Sequence, residues 1–200
     1  MKTNFGVRLV YVFPLLAALG GGCTLLPERP AVDRSWFLLE IPEIEQADRE
    51  RSPVTVELAS IRVAPAFAGK GLVYRLGSYR YESDFYNEWF LDPRDHVDQL
   101  LRERWTRENG HVSLVADARA DPQAHQIDIL VTSLYGDLET DGPGMARVGL
   151  RVFARGSSGS RLWELERQVP MQSRSPEALV AALSIGMAAL FDELEQRLGE

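Results

Sequence analysis

Three histidines and one cysteine are the residues of this chain most able to bind a metal ion or to act as a catalytic base or nucleophile. They are Cys23, His96, His111 and His125. No two histidines have the spacing of a helical metal motif such as HExxH, and the cysteine is far along the chain from all three. We therefore expect surface or structural histidines, and neither a metal site nor a cofactor.

Four acids that stand close together could supply a pair of carboxylates: Asp84, Glu88, Asp92 and Asp95. Such a pair would suit glycoside hydrolysis, but acids also collect at the start of a helix, where they satisfy free N–H groups. The glycine-rich stretches at 142–144 and 156–160 contain neither a phosphate-binding loop nor the G-x-S-x-G turn of serine hydrolases. We find no candidate catalytic residue and expect a protein that is not an enzyme.

The residues around Cys23 indicate export. Two basic residues precede an apolar run, Leu9–Leu19, and Gly20–Gly22 supply the small residues of a cleavage site. In the oxidising compartment outside the inner membrane, a single cysteine cannot form an internal disulfide. The stretch resembles a bacterial lipobox, which implies that residues 1–22 are a signal peptide and that Cys23 is acylated. The alternative is ordinary signal cleavage, which leaves a free thiol.

The net charge of −7 argues against nucleic acid as a partner. A nucleic-acid-binding domain carries a basic stripe, whereas Lys70 is the only lysine after Lys2 and the arginines are spread among acids. Residues 23–34 are rich in proline and are predicted to be a lipidated tether. Residues 35–200 are long enough to bury the core of a single domain.

Apolar periodicity predicts several strands between residues 35 and 170. The apolar positions of 54–63 change parity, which predicts a bulge near Ala59–Ser60. The stretch 71–82 reads as two short strands about Gly77–Ser78, and 126–139 is apolar on both faces, as a central strand is. Shorter strands are expected at 35–41 and 111–117.

Residues 145–154 and 161–170 are predicted to form a hairpin in which paired residue numbers sum to 315. This register places Leu150 opposite Leu165 on one face and Arg151 opposite Glu164 on the other. A sum of 316 would place Arg151 opposite Leu165 and mix the two faces. The choice between the two registers therefore rests on keeping apolar and charged residues apart.

Two helices are predicted, each beginning with a capping residue followed by proline. The first begins at Asp92-Pro93 and carries an apolar face from Val97 to Trp105; the second begins at Ser175-Pro176 and continues to Leu198. The order of strands, helix, strands, helix predicts an α+β fold: an antiparallel or mixed sheet with both helices packed on one face.

Residues 74–93 contain an unusual number of aromatic side chains: Tyr74, Tyr79, Tyr81, Phe85, Tyr86, Trp89 and Phe90. They could cover the core beneath the first helix. They could also form a partner or oligomer interface, because aromatic residues are enriched where two chains bury surface between them. Both interpretations hold together if alternate residues face opposite ways.

The chain from Ile61 to Trp105 resembles the ABC-type transport auxiliary lipoprotein family. The similar segments are an early aromatic strand, a V-x-V-x-P segment, a "glvYR" strand, an aromatic segment before the first helix, and a late apolar helix. In this chain they are Trp36–Leu39, Ile61–Pro65, Gly71–Arg75, Phe85–Phe90 and Ala178–Leu198.

The resemblance implies a lipoprotein on the periplasmic face of the outer membrane of a Gram-negative bacterium. Such a protein serves an ABC-type phospholipid or organic-solvent transport system of the mammalian-cell-entry type and docks its periplasmic entry-domain protein, with a homo-oligomeric ring as a further expectation. The resemblance assigns no catalytic residue. A rival hypothesis is a periplasmic carrier that binds an apolar ligand itself, and it predicts a closed apolar cavity between sheet and helices.

Overall fold

The computed structural model describes residues 33–41, 54–106, 111–139, 141–157 and 159–200. Cys23 and the predicted signal peptide, residues 1–22, lie outside the described residues, as does the tether apart from Asp33 and Arg34. Residues 33–200 form one unit. In chain order its elements are β1 Ser35–Phe37, β2 Val54–Val63, β3 Gly71–Gly77, β4 Arg80–Trp89, α1 Pro93–Trp105, β5 Val112–Leu114, β6 His125–Asp137, β7 Met145–Gly156, β8 Gly159–Pro170 and α2 Pro176–Leu198, with short 3₁₀ turns at Pro65–Phe67 and Ala118–Ala120.

Strand β6 is the centre of one mixed sheet, as its apolar faces predicted. One of its edges pairs antiparallel with β7, which pairs in turn with β8. The other edge pairs in parallel with β2 along His125–Val131 and then with β3 at Gly136 and Asp137. Beyond β3 lie antiparallel β4 and then β1, which runs parallel to β4; β5 pairs in parallel with β2. The α+β fold with a mixed sheet is confirmed.

Two details of strand register predicted from the sequence are confirmed. The pairing of β2 with β6 shifts between Leu58 and Ser60, where the parity of apolar residues changes. Strands β7 and β8 pair with residue numbers that sum to 315, so that Leu150 faces Leu165 in the core. On the opposite face, the guanidinium of Arg151 lies 2.8 Å from the carboxylate of Glu164.

Both helices pack on the same face of the sheet. Helix α1 covers β2 and β5, and α2 covers β6, β7 and β8. The predicted apolar face of α2 is buried, with Leu183, Met187 and Phe191 fully enclosed. Ser175 caps α2, since its hydroxyl accepts a hydrogen bond from the N–H of Ala178 at 3.2 Å. Asp92 occupies the N-cap of α1, but its side chain makes no capping hydrogen bond.

Three strands differ clearly in extent from the prediction, and one of them, β5, covers only Val112–Leu114 of the predicted 111–117. Strand β1 ends at Phe37 instead of residue 41, because its partner β4 ends at Trp89 and leaves no further strand to pair with. Strand β4 continues through the aromatic segment to Trp89, whereas the sequence predicted strand only as far as residue 82. Tyrosine, phenylalanine and tryptophan favour extended backbone, and pairing with β1 holds the end of β4 in place.

Candidate functional site: the exposed aromatics of the β3–β4 hairpin and β1

Strand β4 bulges outward in the middle of the aromatic segment. In its pairing with β3, Val73 faces Ser83 but Gly71 faces Glu88, so β4 accommodates extra residues between these two pairs. The carboxylate of Asp84 closes the bulge, since it accepts hydrogen bonds from the backbone N–H groups of Tyr86 at 2.8 Å and Asn87 at 3.1 Å. The bulge is therefore a fixed feature that carries Phe85 and Tyr86.

Gly71, opposite the bulge, sits where there is no room for a side chain. A Cβ atom on Gly71 would lie 2.5 Å from the carbonyl oxygen of Asp84, which belongs to the backbone and cannot move aside easily. Any larger residue at this position would push the two strands apart. Gly71 thus lets β3 approach the bulge closely and helps set the position of the aromatic side chains.

The seven aromatic residues predicted to form an interface divide between the surface and the interior. Trp89 is only 3% exposed and belongs to the core, and Tyr74 is half-buried on the helix side, near Gly136 and Leu179. Five remain exposed. They are Tyr79, which is fully exposed at the hairpin turn, and Tyr81, Phe85, Tyr86 and Phe90, each close to half exposed or more.

We call Tyr79, Tyr81, Phe85 and Tyr86 the hairpin surface. The rings of Phe85 and Tyr86 meet edge to face with centroids 5.5 Å apart. Among the residues that the structure describes, β4 pairs with β1 only at 87–89, so the outer edge of 80–86 has no partner strand. Aromatic side chains and a strand edge that pairs with no strand among the described residues therefore occur together here, although the N–H of Tyr86 is bound by Asp84.

Strand β1 and the residues after it add exposed apolar side chains that the sequence reasoning did not select. Trp36 is 59% exposed and Leu38 is 44% exposed. Trp36 pairs with Glu88, and Phe37 pairs with the inward-facing Trp89. Leu38 and Phe90 directly follow the ends of β1 and β4, and both are exposed, Phe90 to 60%. We call Trp36, Leu38 and Phe90 the β1 patch.

Arg34 links the hairpin surface to Glu88, the strand partner of Trp36. Its guanidinium lies 4.4 Å from the centre of the Phe85 ring and 3.8 Å from the carboxylate of Glu88. Glu88, which pairs with Trp36 across the two strands, is therefore neutralised by an ion pair.

The helix-free face of the sheet supports the hairpin with stacked rings. Tyr81 contacts Tyr135 edge-on with ring centroids 5.5 Å apart, and Tyr135 stacks on Phe67 at the same separation. Burial, together with the hydrogen bond to Tyr81, raises the pKa of Tyr135 to about 12. Burial and the nearby carboxylates of Asp84 and Glu177 raise the pKa of Tyr74 to about 12 as well. Both phenols therefore stay neutral at physiological pH.

An ion network beside these rings ties the hairpin to β6 and β7. The carboxylate of Asp137 accepts hydrogen bonds from Nε of Arg75 at 3.0 Å and from Nε of Arg147 at 2.8 Å, and Arg75 also pairs with Glu139 at 3.0 Å. Burial alone would raise the pKa of Asp137, but the hydrogen bonds from Arg75 and Arg147 outweigh it and lower the pKa. The network fixes the turn end of the hairpin, where Arg75 pairs with Tyr81.

Three of the four acids considered as a possible catalytic pair each bind a different partner. Asp84 closes the bulge, Glu88 pairs with Arg34, and Asp95 pairs with Arg94 at 3.6 Å. In the part of the chain that the structure describes, no group of histidine, cysteine or acidic side chains could hold a metal ion.

The three histidines lie apart along the fold, on α1, just before β5 and at the start of β6, and His96 on α1 is the buried one. Its ring is packed edge-on against Trp89, with centroids 6.4 Å apart, and its Nδ1 has no hydrogen-bond partner. Burial lowers the pKa of His96, and the backbone of Leu39 and the charge of Glu103 only partly offset this effect. The ring is therefore neutral at physiological pH.

A cleft of about 320 Å³ lies at the far end of the sheet, between the first residues of β2 and β6, the β7–β8 turn and the end of α2. It opens to solvent, and its walls include the charged side chains of Arg161, Arg197 and Glu200 as well as Trp163. It is not the closed apolar cavity that the carrier hypothesis predicts between sheet and helices.

The helices within the described residues are too short or too polar to cross a membrane. Two solved structures share the fold. One is a crystal structure of an uncharacterized protein, with a TM-score of 0.66 at 14% identity over 83% of this chain and 99% of that chain. The other is the protein XCC0632 from Xanthomonas campestris, with a TM-score of 0.63 at 15% identity over 80% of this chain and 92% of that chain.

Among the curated proteins compared with the chain, none matches it. The family model that matches describes the ABC-type transport auxiliary lipoprotein component, and it covers residues 37–195, from β1 to the last turn of α2. This chain therefore belongs to the ABC-type transport auxiliary lipoprotein family.

Proposed function

We propose that this protein is a lipoprotein anchored by Cys23 in the outer membrane, with its domain in the periplasm, and that it assists an ABC-type phospholipid or organic-solvent transporter of the mammalian-cell-entry type without catalysing a reaction. Membership of an auxiliary lipoprotein family supports the coarse role. The lone cysteine after an apolar leader supports the anchor.

The hairpin surface is the proposed docking site for the transporter's periplasmic entry-domain protein. Tyr79 is fully exposed and makes no ring contact with the residues that the structure describes, whereas a tyrosine buried in the core would be enclosed. Aromatic side chains next to an unpaired strand edge give a partner both apolar contacts and backbone hydrogen bonds. This combination is the observation that carries the docking proposal.

A fractionation experiment tests the anchor. We expect the wild-type protein in the outer-membrane fraction and Cys23→Ala in the soluble periplasmic fraction. Mass spectrometry of the wild-type N-terminal peptide should find acyl chains on Cys23. Equal distribution of the two proteins would show that Cys23 does not anchor the chain.

A binding experiment tests the docking site. The full-length protein is mixed in detergent with the periplasmic entry-domain protein of the same organism. Tyr79→Ser/Tyr81→Ser should weaken binding by about tenfold or more, because buried aromatic residues dominate such interfaces. Leu162→Ser is the matched control, since Leu162 is 59% exposed on β8, the strand at the opposite edge of the sheet from β1. Equal effects of the two changes would remove the hairpin surface as the docking site.

A further inference from the structure

The β1 patch has no evident role in the stability of the described domain. Trp36 lies on β1, and Leu38 and Phe90 directly follow the paired ends of β1 and β4; all three are exposed, while Phe37 and Trp89 pack against the core. Large apolar side chains exposed together in this way are typical of a surface that a protein partner or a membrane covers.

The short length of chain between Cys23 and β1 favours the membrane as the surface that covers the patch. Strand β1 begins at Ser35, and Cys23 precedes Arg34 by eleven residues. Eleven residues span at most about 40 Å when fully extended, and about 20 Å on average as a flexible chain. A lipid on Cys23 therefore keeps the β1 edge of the sheet near the membrane surface. Strand β8 lies five strand spacings away, roughly 24 Å across the sheet.

We infer that the β1 patch rests on the lipid surface of the membrane, so that the domain lies against the bilayer instead of hanging free on its tether. The inference rests on the proposed anchoring through Cys23. Tryptophan suits this position because its amphipathic indole favours the boundary between headgroups and acyl chains, and phenylalanine and leucine add apolar area that lipid can cover. The patch also reinforces the anchor, as an apolar surface adds to the hold of attached acyl chains.

The charges near the patch indicate which lipids it accepts. Glu88 is paired with Arg34, and no cluster of basic residues surrounds the three side chains in the described strands. The whole chain carries a net charge of −7. Contact with lipid is therefore apolar in origin, and it should change little with salt concentration or with the fraction of anionic lipid.

Trp36 is a built-in probe for the test. Trp89 and Trp105 are buried in the core, and Trp163 lies on β8. The acylated full-length protein is reconstituted into phosphatidylcholine vesicles whose acyl chains are brominated close to the headgroup. Flotation of the vesicles reports the anchor, and quenching of tryptophan fluorescence by bromine reports the patch.

The wild-type protein should float with the vesicles, and its emission should shift to the blue and be quenched. Trp36→Phe should lose most of this quenching, which assigns the signal to Trp36. Leu38→Ser/Phe90→Ser should also lose most of it while still floating, whereas Leu162→Ser should retain it. Circular dichroism confirms that each variant is folded.

Each other outcome overturns a defined part of the proposal. Flotation without quenching would leave the anchor in place and refute the β1 patch as a lipid contact. Failure of the wild-type protein to float would refute the anchor and this inference together. Protection of Trp36 from iodide by the entry-domain protein, without quenching by lipid, would assign the patch to a protein partner and refute the inference.

Discussion

Trp105 of α1 donates its indole N–H to the carboxylate of Glu195 on α2 across 3.0 Å. The same carboxylate accepts a hydrogen bond from Nε of Arg104 at 2.6 Å, and Glu195 is almost fully buried. Burial alone would lower the pKa of Arg104, but its bonds to Glu195 and Asp192 raise it instead. This contact joins the two helices over the sheet.

Removal of that carboxylate should destabilise the protein strongly. Glu195→Ala leaves Trp105 without its acceptor and Arg104 with only Asp192, so we expect a loss of about 3 kcal/mol in the free energy of unfolding. Urea denaturation measures it. Glu193→Ala changes a glutamate two residues earlier, on another side of the same helix, that pairs with the more exposed Arg167 and Arg197, and it should cost less than about 1 kcal/mol. Similar losses for the two variants would contradict this account.

The Asp137 network predicts a dependence of stability on acid pH. The pKa of Asp137 is lower in the folded protein than its ordinary value of 3.8, so its contribution is complete above that value and disappears as pH falls through the folded pKa. At neutral pH, Asp137→Asn should lose about 2 kcal/mol. The difference from wild type in urea denaturation should shrink below about pH 4.

Asp95→Asn is the control for this measurement. Asp95 is exposed and pairs only with Arg94 in the described residues, at 3.6 Å. Its stability should differ little from that of wild type at either pH. A gap between wild type and Asp137→Asn that stays constant down to about pH 3 would show that the charge of Asp137 is not the cause.

His96 predicts a second dependence, nearer neutral pH. Burial lowers its pKa below 6.5 in the fold, so the unfolded chain binds the proton more readily, and stability declines as pH falls below about 6.5. The groups that face the ring are Trp89, the backbone of Leu39 and Glu103. His96→Leu should therefore lose less stability than wild type between about pH 7 and pH 5, as measured by thermal unfolding. The control His111→Gln should show the same loss of stability as wild type. If His96→Leu also loses as much stability as wild type, the ring of His96 does not cause the pH dependence.

The bulge of β4 predicts a link between one carboxylate and partner binding. Asp84→Ala removes the acceptor of two backbone N–H groups, which should cost about 1–2 kcal/mol in urea denaturation. Phe85 and Tyr86 then lose their fixed positions, so the affinity for the entry-domain protein should fall. Glu82→Ala removes an exposed acid that pairs with Arg80, and it should change neither quantity. Unchanged affinity in Asp84→Ala would contradict the docking role of the bulge.

Periodicity was sufficient where neighbouring residues determine the structure. The change of parity in β2 located its bulge, and the charges of Arg151 and Glu164 chose between two registers of the β7–β8 hairpin. Each signal is contained within one segment or within two segments joined by a short turn. The apolar face of α2 was likewise evident from Leu183, Met187 and Phe191.

The candidate site was harder to predict, because it depends on contacts between distant segments. In the run Trp36-Phe37-Leu38-Leu39 every residue is apolar, so alternation does not tell which ones face outward. The parallel pairing with β4 turns Phe37 toward the core and Trp36 to the surface, and Leu38, just beyond the pairing, is exposed as well. The bulge depends on a bond from the Asp84 side chain to the backbone, which hydrophobic patterning does not reveal.

The pairing of β6 with β2 and then β3 along the same edge has a mechanical consequence. A force that pulls on Asp33 enters the sheet through the three residue pairs that join β1 to β4. It then crosses from the hairpin to β6 through a short junction: the residue pairs Tyr74–Gly136 and Arg75–Asp137, the bond from the Leu138 N–H to the Arg75 carbonyl, and the ion pair of Arg75 with Asp137. The long β6–β7–β8 ladders beneath α2 lie beyond these two junctions. Under load, the N-terminal strands should yield first and the rest of the domain should remain folded.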